Sequence, residues 1–392
     1  MNPKMLFVGP LKDFSGYASA ARDYVRALDK ANCTLVTRDL SYDGGNYSRS
    51  DREIELANRD TRDIDIVIQH TTPNEMEAKN GLFNVGAFCW ETDRIPDIWV
   101  QHLNKMQLVL VPCEENLQVA RRCGVVVPVE KVHYACDVSR YQRDIKSFQI
   151  PQIDRTFKFL AVCQYSKKKG LDPLLKAYLS EFTSQDKVSL ILKTYFGPND
   201  GQPEAQKMME IVGIVKKMLR LNNYPPIHLI PQVLDFDKVD RLYATADCYC
   251  LPSRGEGWGV PHFDALGYGL PAIATEGTAP QEFITPECGW LVKSHMSPVV
   301  DMPHPHEFLY TGIENWHEPE VGHLKTCMRE AYNMWAAKGD SGTSRWQDMQ
   351  NAARQRVNDF NHDVIGPKLR DIILRYYNMW RECNVPESNS TN

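Results

Sequence analysis

Residues 251–282, LPSRGEGWGVPHFDALGYGLPAIATEGTAPQE, carry the reading of this chain. The stretch leaves an apolar strand, turns through Gly255, Gly257 and Gly259, enters a short helix over 260–266 and returns to a strand at 271–275. A strand that feeds a helix through a Gly-rich turn is the grammar of an open α/β sheet, whose ligands lie beyond the carboxyl ends of the strands. Three glycines let backbone N–H groups come close to a ligand, and the helix start adds the positive end of its dipole, which together suit a diphosphate. A tight turn that needs positive φ explains the same glycines. The acids tip the balance. Glu256 stands in the turn, and Asp264, with seven residues between, lies about a turn into the helix. Carboxylates beside a phosphate site make sense when they accept hydrogen bonds from neutral hydroxyls, since such charge-assisted bonds are about twice as strong as neutral ones. A sugar and a ribose both offer those hydroxyls.

Outward from this stretch the same alternation repeats. Short apolar runs at 157–162, 189–193, 227–230 and 247–251 are separated by helical patterns at 171–181, 205–221 and 237–244. Before them, runs at 5–9, 64–69, 83–89 and 108–111, with a helix over 16–30, read as a parallel sheet covered on both faces. Between 141 and 154 the chain turns polar and loses periodicity, which predicts a boundary near residue 150. The fold class is therefore α/β, with two doubly wound domains. After residue 292 the strands are expected to stop, a loop to run through 302–319, and helices to close the chain at 324–337, 344–360 and 365–381. Residues 384–392, NVPESNSTN, read as a disordered tail.

Composition narrows the function. A chain of 392 residues suits two cores, and a net charge of −5 supplies no broad positive field, so nucleic acid is not the expected partner. No apolar run is long enough to span a membrane, and the opening MNPKMLFVGP meets Gly9 and Pro10 before it forms a signal-peptide core, so the expected compartment is the cytoplasm. The 11 cysteines are scattered and read as reduced core thiols. Cys248 and Cys250 lack zinc spacing and read as buried strand residues facing opposite sides. Asp63–Asp65 and Asp235–Asp237 mimic an Asp-x-Asp metal motif, but the first begins a buried strand and the second precedes a helix it would cap. No metal and no cofactor are expected.

Pro252, Ser253, Glu256, Gly257, Gly259, Gly269, Pro271 and Thr275 stand where the signature of the group 1 retaining glycosyltransferases, often called family 4, has them. The chain resembles that family over most of residues 155–360. The resemblance implies the GT-B fold: a Rossmann-like acceptor-side domain over 1–150, a nucleotide-sugar-binding domain over 151–360 and a terminal helix at 361–383 that returns to the first domain. It implies that Glu256 contacts the donor sugar and that the second acid binds the ribose, although Asp264 is one methylene shorter than the family's usual Glu. Gly257, Trp258 and Gly259 fall in the donor-binding turn. In the basic turn 167–169, Lys169 matches the family's Lys-Gly position, where it would neutralise the leaving diphosphate. The family often has an Arg a few residues earlier. Here Cys163 and Gln164 occupy that region, which leaves Lys167 or Lys168 to substitute, while a solvated lysine run is the plainer alternative.

In the first domain, Gly16 fits the family's glycine turn near the donor, and Ser15 reads equally well as a helix cap. His70, at the end of a strand, resembles the family's sugar-contacting His in the cleft, against the reading of a structural histidine. Trp90, Glu91, Asp93 and Arg94 are candidates for the acceptor side, and a capped helix start explains their acids too. The implied reaction is metal-independent α-glycosyl transfer with retention, in which the departing phosphate takes the acceptor proton, with Glu256, His70 and Lys169 as the catalytic set. The donor is a nucleoside diphosphate hexose, mannose or glucose, with GDP-mannose favoured because the compact form resembles mannosyl-transferring members, virus-encoded ones in a host cytoplasm among them. The acceptor is a glycan or glycoprotein, and a homodimer fits. A non-catalytic sugar-nucleotide binder and a glycosyltransferase acting on DNA or a modified base are the alternatives.

Overall fold

Strands covered on both faces are mostly apolar in both directions, and three of the strands in the first half are buried at every position. The computed structural model describes residues 3–384 apart from 43, 151–152, 154–155, 197–203, 233, 303–308 and 338–343. The first half alternates β1 (Lys4–Gly9), α1 (Gly16–Lys30), β2 (Thr34–Asp39), α2 (Asp51–Asn58), β3 (Ile66–His70), β4 (Phe83–Ala87), α3 (Asp97–Leu103), β5 (Leu108–Val111), α4 (Glu114–Arg122) and β6 (Val129–Lys131). Its six strands form one parallel sheet in the order β2-β1-β3-β4-β5-β6. β3, β4 and β5 are buried throughout. Helix α1 starts where Ser15 accepts from the Ala18 N–H at 3.1 Å, and it buries Ala18, Ala21, Val25 and Leu28 at helical spacing. The edge strands β2 and β6 were not foreseen. One ends in polar residues and the other is three residues long, so neither has a sustained apolar run.

The second half contains β7 (Phe157–Gln164), α5 (Leu171–Glu181), β8 (Val188–Tyr195), α6 (Glu204–Leu219), β9 (Ile227–Ile230), α7 (Phe236–Thr245), β10 (Cys248–Cys250), α8 (Val260–Gly267), β11 (Ala272–Thr275) and β12 (Gly289–Val292). This sheet is also six-stranded and parallel, in the order β12-β11-β10-β7-β8-β9. Phe157 is ringed by Phe159, Tyr332, Trp335 and Trp346 with centroids 4.9 to 6.1 Å away. A fully buried Phe such as this one contributes about 2 kcal/mol through removal of its apolar surface from water.

Strands do not stop after β12. β13 (Ser294–Pro298) and β14 (Asn315–Pro319) pair as an antiparallel ribbon, followed by α9 (Val321–Ala336), α10 (Arg345–Arg356) and α11 (His362–Asn384). The sequences SHMSP and NWHEP hide the ribbon because each carries a proline and neither buries both faces. The chain divides into two compact units. The first takes in Met1–Trp90, Arg94–Asp137 and Asp359–Asn392, with α11 packed on α1, and the second Glu91–Asp93 and Val138–Asn358. The division thus falls at Asp137/Val138 rather than near 150, because Arg140 and Tyr141 bond to Asp264 of α8 and tie that stretch to the second unit. The expected tail lies outside the described residues from 385 onward. All 11 cysteines are free thiols. Cys248 and Cys250, two apart on β10, share a face rather than opposing one another, and Tyr249 between them turns to the other side. No described helix is long and apolar enough to cross a membrane.

Candidate functional site

In the second sheet the strand order reverses between β7 and β10, the place where open α/β sheets bind ligands. Two turns meet there. Lys167–Lys169 forms a short 3-10 turn after β7, closed by Gly170 at φ 64°, and residues 251–259 run from β10 into α8. A Cβ on Gly170 would stand 2.0 Å from the Pro252 carbonyl oxygen, so only glycine lets the two turns press together. That contact brings a lysine and a glutamate 87 residues apart into one ion pair.

Lys169 Nζ donates to Glu256 Oε1 at 2.7 Å, and Ser253 Oγ donates to the same oxygen at 2.7 Å. Glu256 is only 7% exposed. Burial by itself would favour the neutral acid, but Lys169, His262 and the hydrogen bonds from Lys169 and Ser253 outweigh it and hold the pKa at about 2. The carboxylate is therefore ionised at neutral pH, and among the described residues no hydrogen bond reaches its Oε2. That oxygen has the chemistry to accept from a hydroxyl. His262, in the first turn of α8, is fully buried, and its Nε2–H donates to the Leu251 carbonyl at 2.8 Å. Burial lowers its pKa.

The turn is held by a residue that sequence reasoning passed over. Arg254, 2% exposed, donates to both Asp172 oxygens at 2.9 and 3.0 Å, to Glu318 Oε1 at 2.8 Å and to the Lys167 carbonyl at 2.6 Å. One guanidinium thereby fixes α5, β14 and both turns, as its planar fork of five donors permits. The signal was available: an arginine between Ser253 and Gly255 in a buried turn has to find anions.

Other candidates sit differently from expectation. Asp264 does not present a free carboxylate. Tyr141 donates to its Oδ1 at 2.7 Å, and Arg140 reaches Oδ1 and Oδ2 at 3.3 Å each. The shorter side chain is met by the stretch after Asp137, whose pairing no local pattern announces. Lys168 Nζ is bound to Glu91 Oε2 at 2.6 Å, and Lys167 Nζ lies 3.4 Å from Asp172, so neither cation is uncommitted. Trp258 is a core residue against Phe283 and Phe263, with centroids 5.2 and 6.0 Å away. Gly257 and Gly259 lie in the buried turn, with Gly259 at φ 87° starting α8. Glu91 also accepts from Tyr310 at 3.1 Å, and Asp93 accepts from the Asn315 N–H at 2.7 Å, so both serve as ties within the second unit. Asp235 caps α7 through the Lys238 N–H at 2.9 Å, and Asp65 accepts from the Lys4 N–H at 2.8 Å. Among the described residues no group of three or more His, Cys, Asp or Glu is placed to hold a metal ion.

In the first unit the strand order reverses between β1 and β3, with Gly16 exposed at the start of α1 and His70 at the end of β3. His70 is not on a surface. It is 0% exposed, enclosed by Tyr17, Tyr134, Tyr24 and Phe7 with ring centroids 4.4, 5.5, 5.9 and 6.3 Å away, and Nε2 lies 3.1 Å from the Tyr134 hydroxyl. Burial lowers its pKa to about 3 and keeps it neutral. Rings from α1 and from beyond β6 cover it, and nothing in the strand itself foretells them.

The sequence profile of the family described as "Glycosyl transferases group 1" matches residues 154–299, the segment that holds Lys169, Glu256 and Asp264. Over that segment the chain is similar to the group 1 glycosyl transferases. Solved structures share the fold. The pneumococcal O-GlcNAc transferase GtfA, in complex with UDP and GlcNAc, matches with a TM-score of 0.51 at 15% identity over 80% of this chain and 57% of its own. Sucrose-phosphate synthase from Thermosynechococcus elongatus matches with 0.64 at 13% identity over 96% and 100%. HepE from Anabaena, in complex with UDP, matches with 0.58 at 12% over 95% and 100%. The chain thus spans little more than half the length of the first and essentially all of the other two. These likenesses show the GT-B fold. No curated protein matches the chain by sequence.

Proposed function

We propose that the protein is a retaining hexosyltransferase that takes its sugar from a nucleoside diphosphate donor bound at the group 1 domain. The observation that carries the reading is the ionised, buried Glu256, gripped through one oxygen by Lys169 and Ser253 and presented by a Gly-rich turn at the start of α8. Its second oxygen would accept from a donor-sugar hydroxyl. Lys169 and the amides of Gly257 and Gly259 would take the diphosphate charge as it grows in the transition state. His262, which follows Glu256, is committed to the Leu251 carbonyl, which suits a route in which the departing phosphate receives the acceptor proton. The donor is GDP-mannose or a UDP-hexose, and the acceptor a glycan or glycoprotein.

The test is a panel of UDP-, GDP- and ADP-hexoses, read first as thermal stabilisation and then as release of nucleoside diphosphate with and without sugar acceptors. One donor should stabilise the protein and turn over with retention of the anomeric configuration in the product. Binding without turnover against any acceptor would favour a sugar-nucleotide binder, and product with inverted configuration would remove the retaining route.

A further inference from the structure

The basic turn after β7 leaves a shortage of charge at the donor site. Lys167 is paired with Asp172, Lys168 with Glu91 and Lys169 with Glu256, and Gln164 is neutral. The neighbouring strand supplies another cation. Lys193, near the end of β8, is 4% exposed, and among the described residues its ammonium has no carboxylate partner; it lies 4.2 Å from the centroid of the Tyr195 ring.

Its direction follows from register. Lys193 is paired with Val162 and Tyr249 with Leu160, so by strand alternation Lys193, Val162, Leu160 and Tyr249 share one face of the sheet. On that face the Tyr249 ring packs on His262 of α8, with centroids 4.9 Å apart, and α8 is the helix that Glu256 introduces. An unpaired ammonium buried this deeply is costly, and a ring face recovers only part of its hydration. A group kept in that state at the carboxyl end of a parallel strand is accounted for when a ligand brings the opposite charge.

We propose that Lys193 is a second cation of the donor site, contacting the diphosphate of the nucleotide together with Lys169. The inference rests on the glycosyl-transfer reading of the same site. It assigns to β8 the charge that the turn after β7 has spent on Asp172 and Glu91.

The experiment is calorimetric titration of the full-length protein with UDP, GDP and ADP, followed by the bound diphosphate and its parent nucleoside on Lys193→Met and Lys193→Arg. Lys193→Met should lose about 10-fold or more in affinity for the diphosphate and about nothing for the nucleoside, with Lys193→Arg between it and the wild type. Equal affinity of a folded Lys193→Met for the diphosphate overturns the inference alone, as does an equal loss for the nucleoside. Wild-type protein that binds none of the three diphosphates overturns the functional reading itself. Should the neutral variant not fold, a crystal structure of the wild type with the diphosphate decides: Nζ within hydrogen-bond reach of a phosphate oxygen supports the assignment, and Nζ still over Tyr195 with no phosphate contact removes it.

Discussion

At the carboxyl end of β7 the side chains are charged and paired, Lys169 with Glu256 and Arg254 with Asp172 and Glu318; at the carboxyl end of β3, His70 is neutral and wrapped in aromatic rings. Both places are strand-order reversals in parallel sheets of six. The same topology therefore offers a crevice without deciding its chemistry. What decides is whether the residues after the strand bring partners for charge, as the turns of the second unit do, or rings that exclude it, as Tyr17 and Tyr134 do.

The comparison is open to breaking, and the largest effect belongs to Arg254. Arg254→Ala leaves Asp172 and Glu318 without their shared partner and should cost about 3–5 kcal/mol in urea unfolding; a loss within error would mean that the turn holds its shape by other means. Next is Glu256→Ala, which should lower turnover at least roughly 10²-fold while the circular dichroism spectrum is unchanged. Near-normal transfer by that variant removes Glu256 from the chemistry. Asp264→Ala should cost about 1.5–3 kcal/mol of stability through the lost bonds to Arg140 and Tyr141, with the donor KM little changed. A large rise in KM without a stability loss would return Asp264 to ribose binding.

The last test lies in the pH dependence of the first unit. The folded-state pKa of His70, about 3, lies below its ordinary 6.5, so the unfolded chain takes up that proton first as pH falls. Stability from this group is constant above about pH 6.5 and declines below it, by at most about 1.4 kcal/mol per pH unit. Glu256 behaves in the opposite order: its depressed pKa adds stability above about 4.5 that is lost only as pH falls towards about 2. His70→Gln should therefore flatten the stability profile between about pH 6.5 and 5.5, where Glu256 contributes little slope. An unchanged slope in urea titrations across that window would show that His70 is protonated in the fold.

Much of this was legible in the residues. The alternation of apolar runs and helical patterns gave both parallel sheets, and the spacing around Glu256 and the Lys-Gly turn at 169–170 singled out the two residues that the structure joins in an ion pair. What was not legible depended on partners distant in sequence. Asp264 is captured from 124 residues away, His70 is sealed by rings from three separate places, and Lys193 at the end of an apolar strand looks like an ordinary solvated strand end. The ribbon of β13 and β14 escaped notice for a local reason, since its prolines and polar residues resemble a loop.

Arg254 has one more effect, on the kinetics of association. A turn cross-braced from within by its own guanidinium keeps its contour before any nucleotide arrives, so docking need not order it. Stopped-flow traces of donor binding should then be single-phased, and the heat capacity of binding should reflect surface contact alone, without the contribution of a folding segment.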